Sequence, residues 1–86
     1  MLFSKIYLAD GYAKVLKKYC TMPQEMFAES SVALSKAKEL CLHDVSCTKF
    51  YRAGRSGQYF KCTAWSTVMN SSFDSTLYIK IYTRHA

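Results

Sequence analysis

Cysteine is the residue type with the most chemical options in this chain of 86 residues, and its spacing is uneven. Three of the four cysteines lie within 22 positions, and the fourth stands apart. They are Cys20, Cys41, Cys47 and Cys62. In a small domain, cysteines bind metals, cycle between thiol and disulfide, act as nucleophiles or join as structural disulfides. The choice among these four roles largely decides what kind of protein this is.

The spacing favours structural disulfides over the other three roles. A zinc site would combine His43 with Cys41, Cys47 and Cys62, but structural zinc sites usually contain tight pairs such as C-x2–4-C, and five residues separate Cys41 from Cys47. The C-x-x-C redox motif is absent. A nucleophilic cysteine needs a base, and His43 is interpreted as an exposed residue at a helix end. Four cysteines allow three disulfide pairings, which spacing alone does not distinguish, and free buried thiols remain an alternative.

No catalytic residue, metal or cofactor is expected from the remaining sequence. It contains no common motif of paired carboxylates, no glycine-rich phosphate loop and no Ser-His-Asp context. Asp10, Asp44 and Asp74 stand beside turn residues, and we interpret them as turn or cap formers. We therefore expect a protein that is not an enzyme.

Hydrophobic periodicity predicts the elements that position the cysteines. The segment "SSVALSKAKELCLHD" indicates a helix, which Ser30 or Ser31 can cap. Its apolar face is expected to contain Leu34, Ala37, Leu40 and Cys41. Cys41 should therefore face the core near the end of the helix.

The rest of the chain contains strand-like segments. "FSKIYLADGY" predicts a first strand, "AKVLKKYC" a short strand or a helical turn, and "TLYIKIYTR" a final strand. "CTKFYRAG" and "GQYFKCTAW" predict a hairpin around Gly54 and Gly57, and "STVMNSSFDS" a polar loop. The expected fold is a single α+β domain over residues 1–86, with four or five antiparallel strands and one helix across the sheet.

The segment "AKELCLHDVSCTKFYRAGRSGQYFKCTAW", followed by "TLYIKIY", resembles the core of PAN/apple domains over about residues 30–82. In that family, a helix carries a cysteine near its end, and a second cysteine opens a strand with an aromatic residue after it. A hairpin then returns through an aromatic-rich strand that ends in cysteine, and a late strand closes the sheet. The resemblance implies a fold of this kind, stapled by disulfides.

The resemblance also implies which cysteines pair. The family links its helix cysteine to the cysteine that opens the following strand, which implies a Cys41–Cys47 disulfide. A second helix cysteine usually stands four residues earlier, where this chain has Ala37. Cys62 therefore lacks its usual partner, and we predict Cys20 as the replacement. The terminal disulfide of apple domains is also missing, so the chain resembles a divergent, PAN-like member.

PAN/apple domains are generally extracellular modules that bind proteins or carbohydrates, including sulfated glycans, without catalysis. The net charge of +6 likewise favours polyanionic partners, although it is also compatible with ordinary solubility. Four cations are expected to converge on the predicted hairpin, with aromatic residues as stacking surfaces. The candidate ligand-binding residues are Lys49, Arg52, Arg55, Lys61, Tyr51 and Tyr59. Trp65 is a further aromatic candidate. Alternatively, the aromatic residues form the core and the cations a solvated face.

The resemblance implies a secreted protein whose partner is a glycan or an extracellular protein. Since the chain shows neither a signal peptide nor an apolar stretch long enough to span a membrane, it would be a mature fragment or an excised domain. Asn70 opens an N-glycosylation sequon. The alternatives are a protein-binding module, a matrix or adhesive module, and an intracellular zinc or nucleic-acid-binding protein. Nucleic acid is not favoured, because disulfides form in oxidising compartments.

Overall fold

A computed structural model describes residues 6–9, 11–29 and 31–81, which form eight short strands and one helix. Along the chain, these elements are β1 (Ile6–Ala9), β2 (Tyr12–Leu16), β3 (Lys18–Cys20), β4 (Gln24–Glu25), α1 (Leu34–His43), β5 (Lys49–Arg52), β6 (Tyr59–Lys61), β7 (Val68–Asn70) and β8 (Thr76–Lys80).

The main sheet is antiparallel, with the strand order β1-β2-β8-β5-β6-β4. Five of these strands have three to five residues, and β4 adds two residues at one edge. The predicted hairpin is β5–β6, in which Arg52 pairs with Tyr59. In the described part of the chain, the α+β class, the antiparallel sheet and the single helix are therefore confirmed.

A second, two-stranded unit was not predicted. Strand β3 pairs with β7, and Cys20 lies opposite Val68 in this ribbon. The segment predicted as a polar loop thus contains a strand, because its first part pairs with β3. The segment "AKVLKKYC", predicted as a short strand or a helical turn, contributes most of β2 and all of β3. Lys17 lies between the two strands, in the left-handed region at φ 60°.

The helix packs on one face of the main sheet through small side chains. Ala37 and Cys41 are fully buried there against Phe50, Tyr59 and other aromatic residues of the sheet. Small side chains allow the helix backbone to approach the ring layer closely. This face contains stacked Phe50 and Tyr78, whose ring centroids are 5.0 Å apart.

Two details of the predicted helix were wrong. The helix begins at Leu34, and its N-cap position is Ala33, which makes no side-chain capping hydrogen bond, so Ser31 is not the cap. The other predicted cap, Ser30, lies outside the described residues. Leu40 is 43% exposed, because the contact with the sheet is narrow and centres on Ala37 and Cys41.

The opposite face of the main sheet is covered by the ribbon. Its core contains Cys20, Tyr51, Cys62 and Leu77, with Tyr19 packed against them. Neighbouring residues in a strand point to opposite faces, and both faces are covered. The consecutive residues of β5 and β8 are therefore buried in pairs, for example Leu77 and the residue after it.

Both predicted disulfides are present. Cys41 is bonded to Cys47 with a Cα–Cα distance of 5.2 Å, which joins the helix to the segment that enters β5. Cys20 is bonded to Cys62 with a Cα–Cα distance of 5.7 Å, which joins the ribbon to the end of β6. Among the described residues, no helix is long and apolar enough to cross a membrane.

Candidate functional site

The β5–β6 hairpin forms, but its cations do not converge. Side chains three positions apart in a strand point to opposite faces, so Lys49 and Arg52 lie on different sides of the sheet. Arg52 lies on the helix side beside Tyr59, its cross-strand neighbour. Lys49 lies on the ribbon side with Tyr51. The expected single cluster is therefore divided between the two faces.

Lys61 is engaged elsewhere. Its ammonium donates hydrogen bonds to Asp44 Oδ2 at 2.8 Å and to the hydroxyl of Ser46 at 3.0 Å. These bonds and those from Ser46 lower the pKa of the Asp44 carboxyl to about 2. Lys61 therefore joins β6 to the end of the helix and is not presented to a ligand at the hairpin tip.

The two hairpin tyrosines belong mainly to the core. Tyr59 is 3% exposed on the helix side, and Tyr51 is 7% exposed on the ribbon side. Burial raises the pKa of both phenols, and Tyr19 raises that of Tyr51 further. The interpretation of these aromatic residues as core therefore fits their positions. Trp65 is 80% exposed, but it lies in the turn that precedes β7.

Arg55 lines a cleft beside the hairpin tip. The cleft has a volume of about 310 Å³ and lies between the hairpin tip and residues 70–75. The guanidinium of Arg55 stacks over the ring of Phe73, 5.0 Å from its centroid. Tyr19 and the edge of Tyr51 contribute the aromatic part of the wall. A cation held beside aromatic surface is an arrangement that suits an anionic sugar.

Backbone contacts fix the loop that forms the other wall. Lys17 donates its N–H to the carbonyl of Ser75 at 2.7 Å and accepts one from Ser71 at 2.9 Å. On the opposite side, the N–H of Gly54 donates to the hydroxyl of Ser75 at 3.1 Å. Left-handed backbone is strained for a lysine, and such strain persists only where the surroundings impose it. The cleft is therefore pre-formed.

A second cation, from the ribbon, contacts a residue that lines the cleft. The ammonium of Lys18 donates a hydrogen bond to Asn70 Oδ1, and Asn70 lines the cleft. The neighbouring Lys17 forms an exposed ion pair with Asp74 at 3.6 Å. Arg55 therefore lines the cleft itself, and Lys18 lies beside one of its lining residues.

A larger groove of about 500 Å³ lies elsewhere and has a different character. It is lined by Leu42, Val45 and Ile81, and Val45 is 96% exposed. Its lysine, Lys80, donates to the carbonyl of Asp44 at 3.3 Å. The walls of this groove are mainly apolar, which does not suit an anionic ligand.

The geometry argues against the zinc and thiol alternatives. A zinc site built from these cysteines would require free thiolates, whereas all four cysteine sulfurs are joined in disulfides. Within the described ranges, no three His, Cys, Asp or Glu side chains come together as a metal site requires. The cysteines are therefore structural.

Comparison with protein-family models, curated proteins and solved structures finds no match to this chain.

From the sequence, Arg55 was a candidate ligand-binding residue and Asn70 a candidate glycosylation site, and nothing indicated that the two lie near each other. Lys18 belongs to the ambiguous segment "AKVLKKYC", and Phe73 belongs to the predicted polar loop "STVMNSSFDS". Only the pairing of β3 with β7 places these residues around one cleft. A three-residue strand has too few positions to show a period of two, so the sequence carried little signal for this pairing.

Proposed function

We propose that this domain is a non-enzymatic, PAN-like recognition module of an extracellular protein, and that its cleft binds an anionic glycan, with a sulfated glycan favoured. The observation that carries the proposal is Arg55, which lines the pre-formed cleft and stacks over Phe73, while Lys18 contacts Asn70 at the edge of the cleft. The ligand site therefore differs from the four-cation cluster expected from the sequence.

The chemistry of the rim supports an anionic ligand. Arginine presents a planar fork of donors that matches the oxygen atoms of a sulfate or carboxylate, and lysine adds a point charge. Phe73 holds the Arg55 guanidinium in place from one side, which lowers the entropy lost on binding. The partly buried Tyr19 offers apolar surface to the sugar ring.

The PAN-like and extracellular parts of the proposal rest on the order of elements and on the disulfides. The helix, the Cys41–Cys47 link, the β5–β6 hairpin and β8 follow one another as the resemblance implies. The two disulfides are compatible with an oxidising, extracellular environment.

Chromatography on immobilised heparin tests the ligand class. The net positive charge alone gives retention on any cation exchanger, so the domain is run in parallel on a sulfonate column. We expect elution at higher salt from heparin than from sulfonate, and Arg55→Ala should reduce this difference. Lys36→Ala removes the same charge from an exposed helix position and should keep it. Equal elution from both columns would contradict the proposal.

Protein binding is the second candidate function, and the exposure of Trp65 favours it. Trp65 is 80% exposed and Met22 66% exposed, and the carbonyl of Met22 accepts a hydrogen bond from Thr63, two residues before Trp65. Aromatic residues and methionine are enriched where proteins bind one another. Because apolar contacts are insensitive to ionic screening, binding that persists at high salt and is lost in Trp65→Ala would favour this candidate.

A further inference from the structure

The N-glycosylation sequon lies at the cleft and not on a remote loop. Asn70 is the last residue of β7, its side chain is exposed, and it lines the cleft between the ribbon and the hairpin tip. The sequon continues through Ser71 to Ser72. A group attached to Asn70 therefore starts at the edge of the proposed binding site.

The contact with Lys18 orients the Asn70 amide. A lysine ammonium only donates hydrogen bonds, so the atom of Asn70 that it contacts is the carbonyl oxygen, Oδ1. The other amide atom, Nδ2, is the one that carries an N-linked glycan. In the described residues, Nδ2 makes no hydrogen bond that a glycan would replace. The pair with Lys18 is therefore compatible with a modified asparagine.

We propose that Asn70 carries an N-linked glycan when the chain is made in a secretory pathway, and that this glycan closes the cleft to anionic ligands. The donor is a lipid-diphosphate-linked oligosaccharide. Asn70 Nδ2 forms a bond to the anomeric carbon of the first sugar and loses a proton, while the bond from that carbon to the diphosphate breaks and the lipid diphosphate leaves. This inference rests on the proposed anion-binding function, which it deepens by naming a control of the same site.

Size and position make the closure effective. The cleft measures about 310 Å³, at the lower end of the range for ligand pockets, whereas an N-linked oligosaccharide is bulky. The first sugar would lie beside Lys18 and across the cleft from Arg55. The unmodified chain is thus the form that binds anionic glycan, and the modified chain is the form that does not.

A matched pair of substitutions at Ser72 tests the inference. Ser72→Thr preserves the sequon and Ser72→Ala removes it, and both proteins are secreted from cultured animal cells. Intact mass reports the glycan, and titration with a heparin-derived oligosaccharide reports affinity. The unsubstituted chain, made in a bacterial periplasm that forms disulfides without N-glycosylation, gives the affinity of the unmodified cleft.

We expect a glycan on the threonine variant, none on the alanine variant, and at least about tenfold weaker oligosaccharide binding by the glycosylated protein. An unmodified Asn70 in the threonine variant, or equal affinities despite the glycan, would overturn the inference and leave the proposed function intact. If the bacterial protein does not bind the oligosaccharide, the proposed function is wrong, and so is the proposed control of binding by the glycan. The intact mass still reports whether Asn70 is modified.

Discussion

Lys61 Nζ lies 2.8 Å from Asp44 Oδ2, which ties the last residue of β6 to the residue that follows helix α1. Ser46 completes the network, because its hydroxyl and its backbone N–H both donate to Asp44 Oδ1, at 2.7 Å and 3.0 Å. Asp44 and Ser46 lie within the loop that the Cys41–Cys47 disulfide closes, and Lys61 binds this loop from β6. It explains why Lys61, a cation expected at the ligand site, stabilises the fold instead.

This network should make stability depend on acid. The hydrogen bonds from Lys61 and Ser46 lower the pKa of Asp44 from 3.8 to about 2. The contribution of the Asp44 carboxylate to folding stability is therefore present above its pKa in the unfolded chain, and it is lost as the pH falls through its folded pKa of about 2. We expect urea unfolding to show a smaller loss of stability for Asp44→Asn than for the unsubstituted chain between about pH 6 and about pH 2. Parallel pH profiles would contradict this role of Asp44.

Buried phenols should limit stability in alkali. Burial raises the pKa of four tyrosines above 10.0. They are Tyr12, Tyr51, Tyr59 and Tyr78. The contribution of these neutral phenols to folding stability is present below the pKa of tyrosine in the unfolded chain. It is lost as the pH rises through the higher pKa of the folded state. In a pH titration, we expect a group of phenols to ionise late, together with loss of the near-ultraviolet circular dichroism signal. Ionisation of all tyrosines at their ordinary pKa in the folded protein would show that this core is open to water.

The two disulfides should contribute unequally to stability. Cys20 and Cys62 are 42 residues apart, whereas Cys41 and Cys47 are six apart. In the chain-entropy account, these loops correspond to about 4 and about 2 kcal/mol. We expect the double variant Cys20→Ala with Cys62→Ala to unfold at lower urea than Cys41→Ala with Cys47→Ala. The reverse order would mean that the short link contributes mainly through the folded state.

The larger elements could be predicted from the sequence because their signals are local. Helix α1 showed a helical period, strand β8 alternated, and Gly54 and Gly57 marked the hairpin turn. The division of the hairpin cations also follows from the two-residue period of a strand, which places Lys49 and Arg52 on opposite faces.

The ribbon and the cleft could not be predicted in this way. Strand β7 has three residues, and its partner β3 lies far away in the sequence. Its pairing depends on packing over Cys20 and Tyr51 and not on a local pattern. The contact between Lys18 and Asn70 follows from that pairing, so this wall of the site could not be predicted from the sequence either.

Because Gly54 packs closely against the loop of the second wall, a larger residue there should lower both the stability of the fold and the ligand affinity of the cleft. A Cβ added to Gly54 would lie 2.6 Å from backbone atoms of Asp74, so the loop of the second wall must move. We expect Gly54→Ala to cost about 1–3 kcal/mol of stability and to weaken binding of a heparin-derived oligosaccharide.

Gly11→Ala provides the matched control for that variant. Gly11 has a φ of +82° but open space around its Cβ position, so alanine there costs about 1–2 kcal/mol through backbone strain alone. Its site lies outside the cleft, and oligosaccharide affinity should be unchanged. Equal weakening in both variants would indicate that loss of stability, and not movement of the loop, reduces binding.

The most direct test of the proposed function is calorimetric titration of a heparin-derived oligosaccharide into Arg55→Ala and Arg52→Ala. The two variants lose the same charge from the same hairpin, but only Arg55 lines the cleft. We predict about tenfold weaker binding for Arg55→Ala, the equivalent of about 1.4 kcal/mol, and little change for Arg52→Ala. Equal affinities in the two variants would contradict the cleft as the binding site and leave only the overall charge to explain retention on heparin.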